Sequence, residues 1–454
     1  MSLYYEYREK YPDFYYRAYN VEEDEREVRI SYDFEIEGLA KFRPSWVFYK
    51  RDSESVSDSL TFKNLVFSLG LVELVSYWKA TCSPCVHVLP HPLTDEQVIW
   101  WKKLYYGGLG EFFYLNSIDA DFNDFMNIAS DGETLEVEYG LEGLSGCLVP
   151  VGGGKDSAVS LEILKNESVT PYVINGRGAT ENTCAVAGFD KDDTDTVTRR
   201  LDRELIELNK KGFLNGHTPF SAIVAFSSLI DAFINRKKYI VLSNESSANE
   251  STVEGSDVNH QFSKGFEFET AFCEYEKKYF NTGISYFSLL RPLSEFQIAA
   301  LFSQYKKYHS IFRSCNAGSK TDSWCGNCPK CLFVYIILSP FLTEEELVGI
   351  FGENLFEKEA LLTDFQKLTG MLPEKPFECV GSRDEVRCAL ALAIEKYKSC
   401  NKSLPLMLAL FDKENKTENP MKYFDFYDNE NLLPEKFGAL VKGALNAFKY
   451  HAGT

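Results

Sequence analysis

The stretch from Leu148 to Leu161, Leu-Val-Pro-Val-Gly-Gly-Gly-Lys-Asp-Ser-Ala-Val-Ser-Leu, constrains the fold more than any other. A short apolar run, three glycines and a helix-compatible tail predict a strand, a tight turn and the start of a helix. Consecutive glycines supply positive φ and let backbone N–H groups approach an anion, while the following helix adds the positive end of its dipole. The turn therefore reads as a phosphate cradle. It is not a Walker A loop, because no second glycine stands five residues after the first with Lys-Ser or Lys-Thr behind it, and it is not Gly-x-Gly-x-x-Gly. A glycine turn without a ligand is the plain alternative. The strand before it, the Lys-Asp-Ser inside it and the helix after it favour a nucleotide.

The rest of the chain narrows the setting. At 454 residues there is room for two or three domains, and 44% hydrophobic with 25% charged residues exclude a disordered chain. A net charge of −19 and the absence of a basic stripe argue against a nucleic-acid partner. The run from Leu332 to Leu338 with Pro340-Phe341-Leu342 is too short to cross a bilayer. The opening Met1-Ser2-Leu3-Tyr4-Tyr5-Glu6-Tyr7-Arg8 lacks a basic segment followed by an apolar core. The expectation is a cytoplasmic protein with no membrane partner. In that compartment twelve cysteines are reduced thiols or metal ligands rather than a disulfide frame.

Residues 1–140 are expected to form a small α+β domain, with alternation from Glu27 to Ile36 marking a strand. Thr94-Asp95-Glu96-Gln97 has capping-box spacing and opens a helix that stops at Gly107-Gly108. Gly110 to Tyr114 reads as a further strand or turn. Residues 141–342 alternate strands and helices, the signature of a parallel sheet. Strand 146–151 feeds the glycine turn and a helix from Ser157 to Lys165, and strand 171–175 follows. Amphipathic helices are expected at about 195–211 and 219–236, then a strand at 239–243 that empties into the polar segment Asn244 to His260. Ser294, Thr343 and Ser382 open further capped helices, and residues 343–454 read as helical. The fold class is α/β, a parallel sheet with helices on both faces, preceded by the α+β domain and followed by the helical region.

Several groups carry candidate chemistry. Gly152, Gly153 and Gly154 form the cradle, Lys155 would set a cation against phosphates, and Asp156 would hold Mg²⁺ or meet the helix N-terminus. Ser157 offers a hydroxyl to pyrophosphate, and Asn175, at the end of the next strand, joins the nucleotide-binding set. Cys315 and the run Cys325-x-x-Cys328-x-x-Cys331 supply four thiolates at knuckle spacing. Zinc with four protein ligands has no open position, so its role would be structural; an iron–sulfur cluster is the competing occupant and four inert thiols the plain one. Cys82-Ser83-Pro84-Cys85 reads as ordinary cysteines in a turn. The polar segment, with Glu245, Glu250 and His260, leaves the carboxyl end of a parallel strand, where α/β folds bind ligands. Arg291, between Leu290 and Pro292, would grip a carboxylate or phosphate or form a structural ion pair. His217 stands just before a helix start and is a capping or a catalytic candidate.

The Gly-Gly-Lys-Asp-Ser turn resembles the signature of the PP-loop (HUP-like) ATP pyrophosphatases, with Gly152 where that family has serine. The four cysteines resemble the zinc site of the 7-cyano-7-deazaguanine synthases, which adenylate a carboxylate. A wider set of strings is similar to the MurL family: Ser-Tyr-Trp-Lys-Ala-Thr-Cys-Ser-Pro (76–84), Gly-Leu-Gly-Glu-Phe-Phe-Tyr-x-Asn (108–116), the glycine turn, Ser-Asn-Glu-x-Ser-Ala-Asn-Glu (243–250), Val-Asn-His-Gln-x-Ser-Lys (258–264), Leu-Leu-Arg-Pro-Leu-Ser-Glu (289–295) and Trp-Cys-Gly-x-Cys-Pro-Lys-Cys (324–331). That resemblance implies ATP- and Mg²⁺-dependent epimerisation of the terminal glutamate of a UDP-muramoyl-dipeptide, a small-molecule substrate, with structural Zn²⁺. It implies catalytic roles for Lys155, Asp156 and Arg291 at the phosphates. It leaves the proton-moving pair open among His260, Glu245, Glu250 and His217, with His260 first because imidazole titrates near neutrality. Two other readings keep the nucleotide: amidation or thiolation of another substrate, with Cys147 or Cys184 as thiol, and a sensor that binds ATP without turnover.

Overall fold

The computed structural model describes residues 2–135, 140–249, 259–318, 321–414 and 420–452. The chain divides into two compact units, the first drawn from Met1–Leu148, Asp195–Ile240 and Asp257–Tyr286, the second from Val149–Thr194, Val241–Ser256 and Phe287–Thr454. The strands begin with β1 (Asp13–Glu23), β2 (Glu27–Ile36), β3 (Ala40–Phe42) and β4 (Ser45–Tyr49). β5 (Cys85–Val88), β6 (Asn127–Ser130), β7 (Ser145–Pro150), β8 (Val169–Ile174) and β9 (Asp195–Arg200) follow. β10 (Lys237–Leu242) and β11 (Ser285–Ser288) complete the series, and β7, β10 and β11 each begin in the first unit and end in the second.

In the first unit the strands run β9-β4-β2-β1-β5-β6, with β3 on the side of β2. β1 with β5 and β5 with β6 are parallel, and the other pairs are antiparallel, so the sheet is mixed. The alternation expected of Glu27–Ile36 is realised: Val28, Ile30, Tyr32, Phe34 and Ile36 are buried. They face the helix Leu60–Trp78, in which every residue from Thr61 onward except Lys63 is buried. That helix has the length and apolar character of a membrane span, yet it is the core helix of this unit, packed on β1, β2 and the helix Phe220–Ile234. Its backbone carbonyls satisfy strand and helix tyrosines: Tyr32 Oη donates to Val66 O at 3.0 Å and Tyr105 Oη to Leu71 O at 2.7 Å. Gly70 makes the approach possible, since a Cβ there would overlap the Tyr16 ring. The helix also carries Glu73, fully buried, which Arg199 of β9 meets through two bonds at 2.8 and 3.0 Å and Trp46 Nε1 at 3.3 Å.

In the second unit β7 lies between β10 and β8, in the order β11-β10-β7-β8. β7 and β10 are parallel, with Tyr239 opposite Cys147. The chain leaves β7 through the glycine turn and the helix Lys155–Ile163 to β8 on one side, and it returns as β10 on the other. The carboxyl end of β7 is thus a topological switch point, where open α/β sheets form their ligand crevices. The remainder is helical, and the expected capping boxes at Ser294, Thr343 and Ser382 all form, opening Glu295–Gln304, Glu344–Phe351 and Arg383–Ser399.

Two local expectations are corrected. Gly110–Leu115 is a short helix, not a strand or turn, and Asn116 Nδ2 closes it on Phe112 O at 2.8 Å. The single helix expected at 195–211 is a strand and a shorter helix: Thr196, Val197 and Thr198 suit the extended pairing with β4, and Asp202 then caps Arg203–Lys210. Because Glu73 is buried and held by one arginine, Arg199→Met is expected to lower stability by about 3–5 kcal/mol, by stranding a buried carboxylate. The double variant Glu73→Leu/Arg199→Met recovers most of that in a denaturant titration; equal losses in both would show that the pair is not what Glu73 depends on.

Candidate functional site

The glycine turn departs from its sequence reading in two respects. Only Gly153 takes positive φ, +80°, and a Cβ there would meet the Ala179 backbone at 2.8 Å. Gly154 is the N-cap, with extended φ −88° and ψ 177°, and around Gly152 nothing lies within 4 Å of a built Cβ. The helix begins at Lys155 rather than Ser157, so the N–H groups of Lys155, Asp156 and Ser157 are first-turn groups without an intrahelical acceptor. Ser157 Oγ donates to Gly154 O at 3.1 Å, and Arg313 N donates to Gly153 O at 2.8 Å, which holds the turn from the far side. The loop leaving β10 lies beside it, since Ser160 and Ser243 hydroxyls are 2.7 Å apart. Asn175 takes φ +51° at the exit of β8, a left-handed conformation that asparagine tolerates better than most residues.

Lys155 is 2% exposed and lies between the carboxylates of Asp156 and Glu295. Burial works against its charge, but the two carboxylates outweigh burial and raise its pKa above the ordinary lysine value. Glu295 is pushed up to about 8, first by burial, with Asp156 and Glu245 adding to the effect against the pull of Lys155. Glu295 N donates to Glu385 Oε1 at 2.6 Å, and burial raises Glu385 as well. Arg291, fully buried, donates from Nη1 to the Glu245 carbonyl at 2.6 Å and so fixes the loop after β10. Of the sequence candidates, Lys155, Asp156, Glu245 and Arg291 therefore belong to the second unit, while Glu250 lies outside the described residues. Glu295 and Glu385 were read only as parts of capped helices. The signal for Glu295 is a carboxylate at the first position of an otherwise apolar helix, whereas Glu385 stands in a charged first turn and shows only its capping-box position.

Cys315, Cys325, Cys328 and Cys331 converge in the second unit. Sulfur pairs stand 3.5 to 3.7 Å apart, close to the edge of about 3.8 Å that a tetrahedron with metal–sulfur bonds of about 2.3 Å requires. Gly326 supplies positive φ, +62°, between the first two ligands of the run, and Gly318 N donates to Cys315 Sγ at 3.2 Å. This set can hold a metal ion. Cys147 and Cys184 are both buried, and burial lifts the Cys184 thiol to about 11, which is unfavourable for a sulfur nucleophile.

His260 belongs to the first unit, with His217 and Glu111. His260 Nδ1 contacts Glu111 Oε2, and His217 Nδ1 lies 3.3 Å from the same oxygen, the two rings 4.5 Å apart between centroids. Glycines make the cluster possible. A Cβ on Gly107 would stand 2.5 Å from the Phe262 ring and one on Gly108 2.7 Å from Pro219, the neighbours of the two histidines. Lys79, 6% exposed, donates to Thr218 Oγ1 at 2.6 Å and His217 O at 3.3 Å as well as to Gly216 O. Burial, then Arg199, bring its ammonium down to about 8, and burial, then His260, bring His217 down to about 4. Two imidazoles and a carboxylate at this spacing suit a metal ion or a proton relay. The adjacent ammonium opposes a divalent cation. Lys79 and Glu111 were passed over as functional residues, although both stand inside the strings quoted above.

A family model described as the MurL N-terminal domain matches residues 5–289, and one described as the MurL C-terminal domain matches residues 310–422. Three curated relatives bear the name UDP-N-acetyl-alpha-D-muramoyl-L-alanyl-L-glutamate epimerase. That of Xanthomonas oryzae pv. oryzae is 36% identical over 332 residues, 71% of this chain and 73% of the relative. Those of Salinispora tropica and a Micromonospora species are each 36% identical over 352 residues, 76% of this chain and 76% and 77% of the relatives. No solved structure matches the chain at a significant level.

The turn geometry separates its glycines. Gly153→Ala, forced into positive φ against backbone, is expected to lose about 1–3 kcal/mol in thermal or denaturant unfolding. Gly152→Ala is expected to be neutral or stabilising by up to about 1 kcal/mol. The reverse order would show that the turn is not built as described.

Proposed function

The chain belongs to the MurL family, and from that premise we propose that it inverts the terminal L-glutamate of UDP-N-acetylmuramoyl-L-alanyl-L-glutamate, using ATP to adenylate the α-carboxylate. Pyrophosphate leaves on activation and AMP on hydrolysis, in a step of cytoplasmic peptidoglycan precursor synthesis. The chemistry explains the need for ATP. An α-proton next to a free carboxylate is hard to remove, because the product would be a dianion; an acyl phosphate neutralises that charge and acidifies the Cα–H. A base then takes the proton, an acid returns it to the other face, and hydrolysis of the anhydride makes the turnover directional.

The observation that carries the activation step is the glycine turn at the carboxyl end of β7, opening a helix at Lys155 and Asp156 beside the loop from β10. In this reading Gly152 to Ser157 receive the triphosphate on first-turn N–H groups, with Asn175 at its rim. Lys155 offsets Asp156 and Glu295, so that an incoming polyanion does not meet two uncompensated carboxylates. Asp156 would hold Mg²⁺ through the carboxylate oxygen that Lys155 does not occupy, and the ion would supply charge neutralisation at the phosphate oxygens. Arg291 fixes the Glu245 segment through Nη1, beside its expected role in stabilising charge on the phosphates. The backbone leaves room for the first side-chain atom of the serine that the resembling pyrophosphatases carry, since a Cβ at Gly152 meets nothing within 4 Å. Its absence removes one hydroxyl and leaves the backbone cradle. The four cysteines would hold a structural Zn²⁺ with no open coordination position.

Incubation with ATP, Mg²⁺ and the muramoyl-dipeptide in D₂O is expected to give deuterium at the glutamate α-carbon together with AMP. AMP without α-exchange would replace epimerisation by another carboxylate activation such as amidation, and no AMP at all would leave a nucleotide sensor. Elemental analysis is expected to find about one zinc per chain, lost in Cys328→Ser, and iron with sulfide would identify a cluster instead.

A further inference from the structure

The first unit gathers Glu111, His217 and His260 from three parts of the chain, and each part is fixed by bonds of its own. Glu111 stands in the first turn of the helix Gly110–Leu115. Asn116, which closes that helix, donates from Nδ2 to Phe112 O at 2.8 Å and to Asn215 O at 3.2 Å, tying the helix to the segment before His217. His217 is not the cap of the following helix, whose N-cap is Pro219. Its backbone carbonyl receives Lys79, together with the carbonyl of Gly216 and the hydroxyl of Thr218, so one ammonium holds residues 216–218. His260 enters a turn in which Asn259 Oδ1 accepts from Gln261 N at 2.7 Å and Asn259 O from Phe262 N at 3.2 Å. The Phe262 ring then occupies the space that a Cβ on Gly107 would need.

We propose that Glu111, His217 and His260 form a second metal site, for a divalent transition ion of the Zn²⁺ or Co²⁺ type, with one coordination position left for water or an oxygen anion. The site lies wholly in the first unit and needs neither nucleotide nor dipeptide. Two imidazole nitrogens and a carboxylate oxygen are the donors of three-ligand zinc sites, whereas Mg²⁺ prefers an octahedron of oxygens. Both rings turn Nδ1 to the same oxygen, Glu111 Oε2, and one donor atom of each residue lies within 4.8 Å of the other two. The 3.3 Å from His217 Nδ1 to that oxygen is the edge of about 3.3–3.4 Å that a tetrahedron with metal–ligand bonds of 2.0–2.1 Å requires. His260 Nδ1 stands closer, as a hydrogen bond does, and draws back to the same edge when an ion enters. The rings are inclined by 50° rather than stacked, so both reach that oxygen without lying face to face. Side-chain exposures of 11%, 12% and 20% for Glu111, His260 and His217 leave the group shielded but reachable by an ion.

A ring nitrogen that faces a carboxylate oxygen carries a proton, and the ion takes the place of those protons while each Nε2 keeps its hydrogen. The ammonium of Lys79 opposes the ion, and the carboxylate of Glu111 is set against that charge. Lys79 nevertheless fixes the backbone on which His217 stands, so the same residue weakens the attraction and orders a ligand. Three protein donors beside an opposing charge make the ion exchangeable, whereas four thiolates retain theirs. Protein freed of loosely held metal therefore keeps the knuckle ion alone.

The test uses the full chain after a chelator has removed exchangeable metal, with Co²⁺ alone as the probe. One Co²⁺ per chain is expected to bind with visible d–d absorption and no sulfur-to-metal charge-transfer band, to raise the melting temperature, and to resist a roughly tenfold excess of Mg²⁺. His217→Gln, His260→Gln and Glu111→Ala are each expected to weaken binding by at least about 10²-fold. Retention of the zinc of the cysteines shows that a variant is folded. In the parent protein, Co²⁺ is expected to move the ring-proton NMR signals of two histidines far outside their ordinary range, a reading that needs no variant. Absence of Co²⁺ binding overturns the site and leaves Glu111 as a hydrogen-bonded brace between two rings. A sulfur charge-transfer band, displacement by Mg²⁺, fewer than two shifted histidines, or undiminished binding in a folded histidine variant overturns it equally.

Discussion

A buried ammonium is the constraint on which the second unit depends. Lys155 has almost no access to water, and a lone cation there would be untenable. Its partners come from the next residue and from 140 residues further on, Asp156 and Glu295. Glu295 is itself buried, and it is tolerated because it begins a helix, as Lys155 does, while Glu385 in the first turn of a third helix accepts its N–H. Three helix N-termini with three buried charges thus meet in one network, where the positive ends of the helix dipoles offset the excess of carboxylates. The position of the glycine turn follows from that network as much as from the strand before it.

Much of this unit was legible in the sequence because its signals are local. Glycines, a cap at Ser294 and short apolar runs can each be read within a few residues, and they predicted β7, β10 and the capped helices. The cysteine knuckle was legible for the same reason. Partners distant in sequence were not. Nothing near Glu295 announces Lys155, and a capping pattern explained the residue sufficiently to hide its second task. The same failure of local reading turned β9 into a helix: charges at Asp195, Arg199 and Arg200 mimic an amphipathic face, but Arg199 is committed to Glu73 and its neighbours to pairing with β4.

The resembling strings sort cleanly between the units once the fold is known. Those at 76–84, 108–116 and 258–264 supply Lys79, Glu111 and His260 in the first, and those around the glycine turn, Glu245, Arg291 and the cysteines belong to the second. His217, in none of the strings, joins the first group only through the turn that Lys79 holds. Its sequence signal was weak because a histidine before Thr-Pro is a common way to enter a helix. The carboxylate it faces sits in a six-residue helix that reads in sequence as a strand or turn. Both misreadings concealed one cluster.

The core helix Leu60–Trp78 has a consequence for synthesis. Its apolar surface is covered in part by the helix Phe220–Ile234, Phe62 meeting Phe233 at 6.0 Å between ring centroids. At ribosomal rates of about 5–20 residues per second, the interval between the two segments is on the order of ten seconds. Throughout that time a segment as greasy as a bilayer span is in search of a cover not yet made. Until Phe220–Ile234 emerges, that face of the helix stays uncovered, the condition under which a growing chain is most exposed to aggregation.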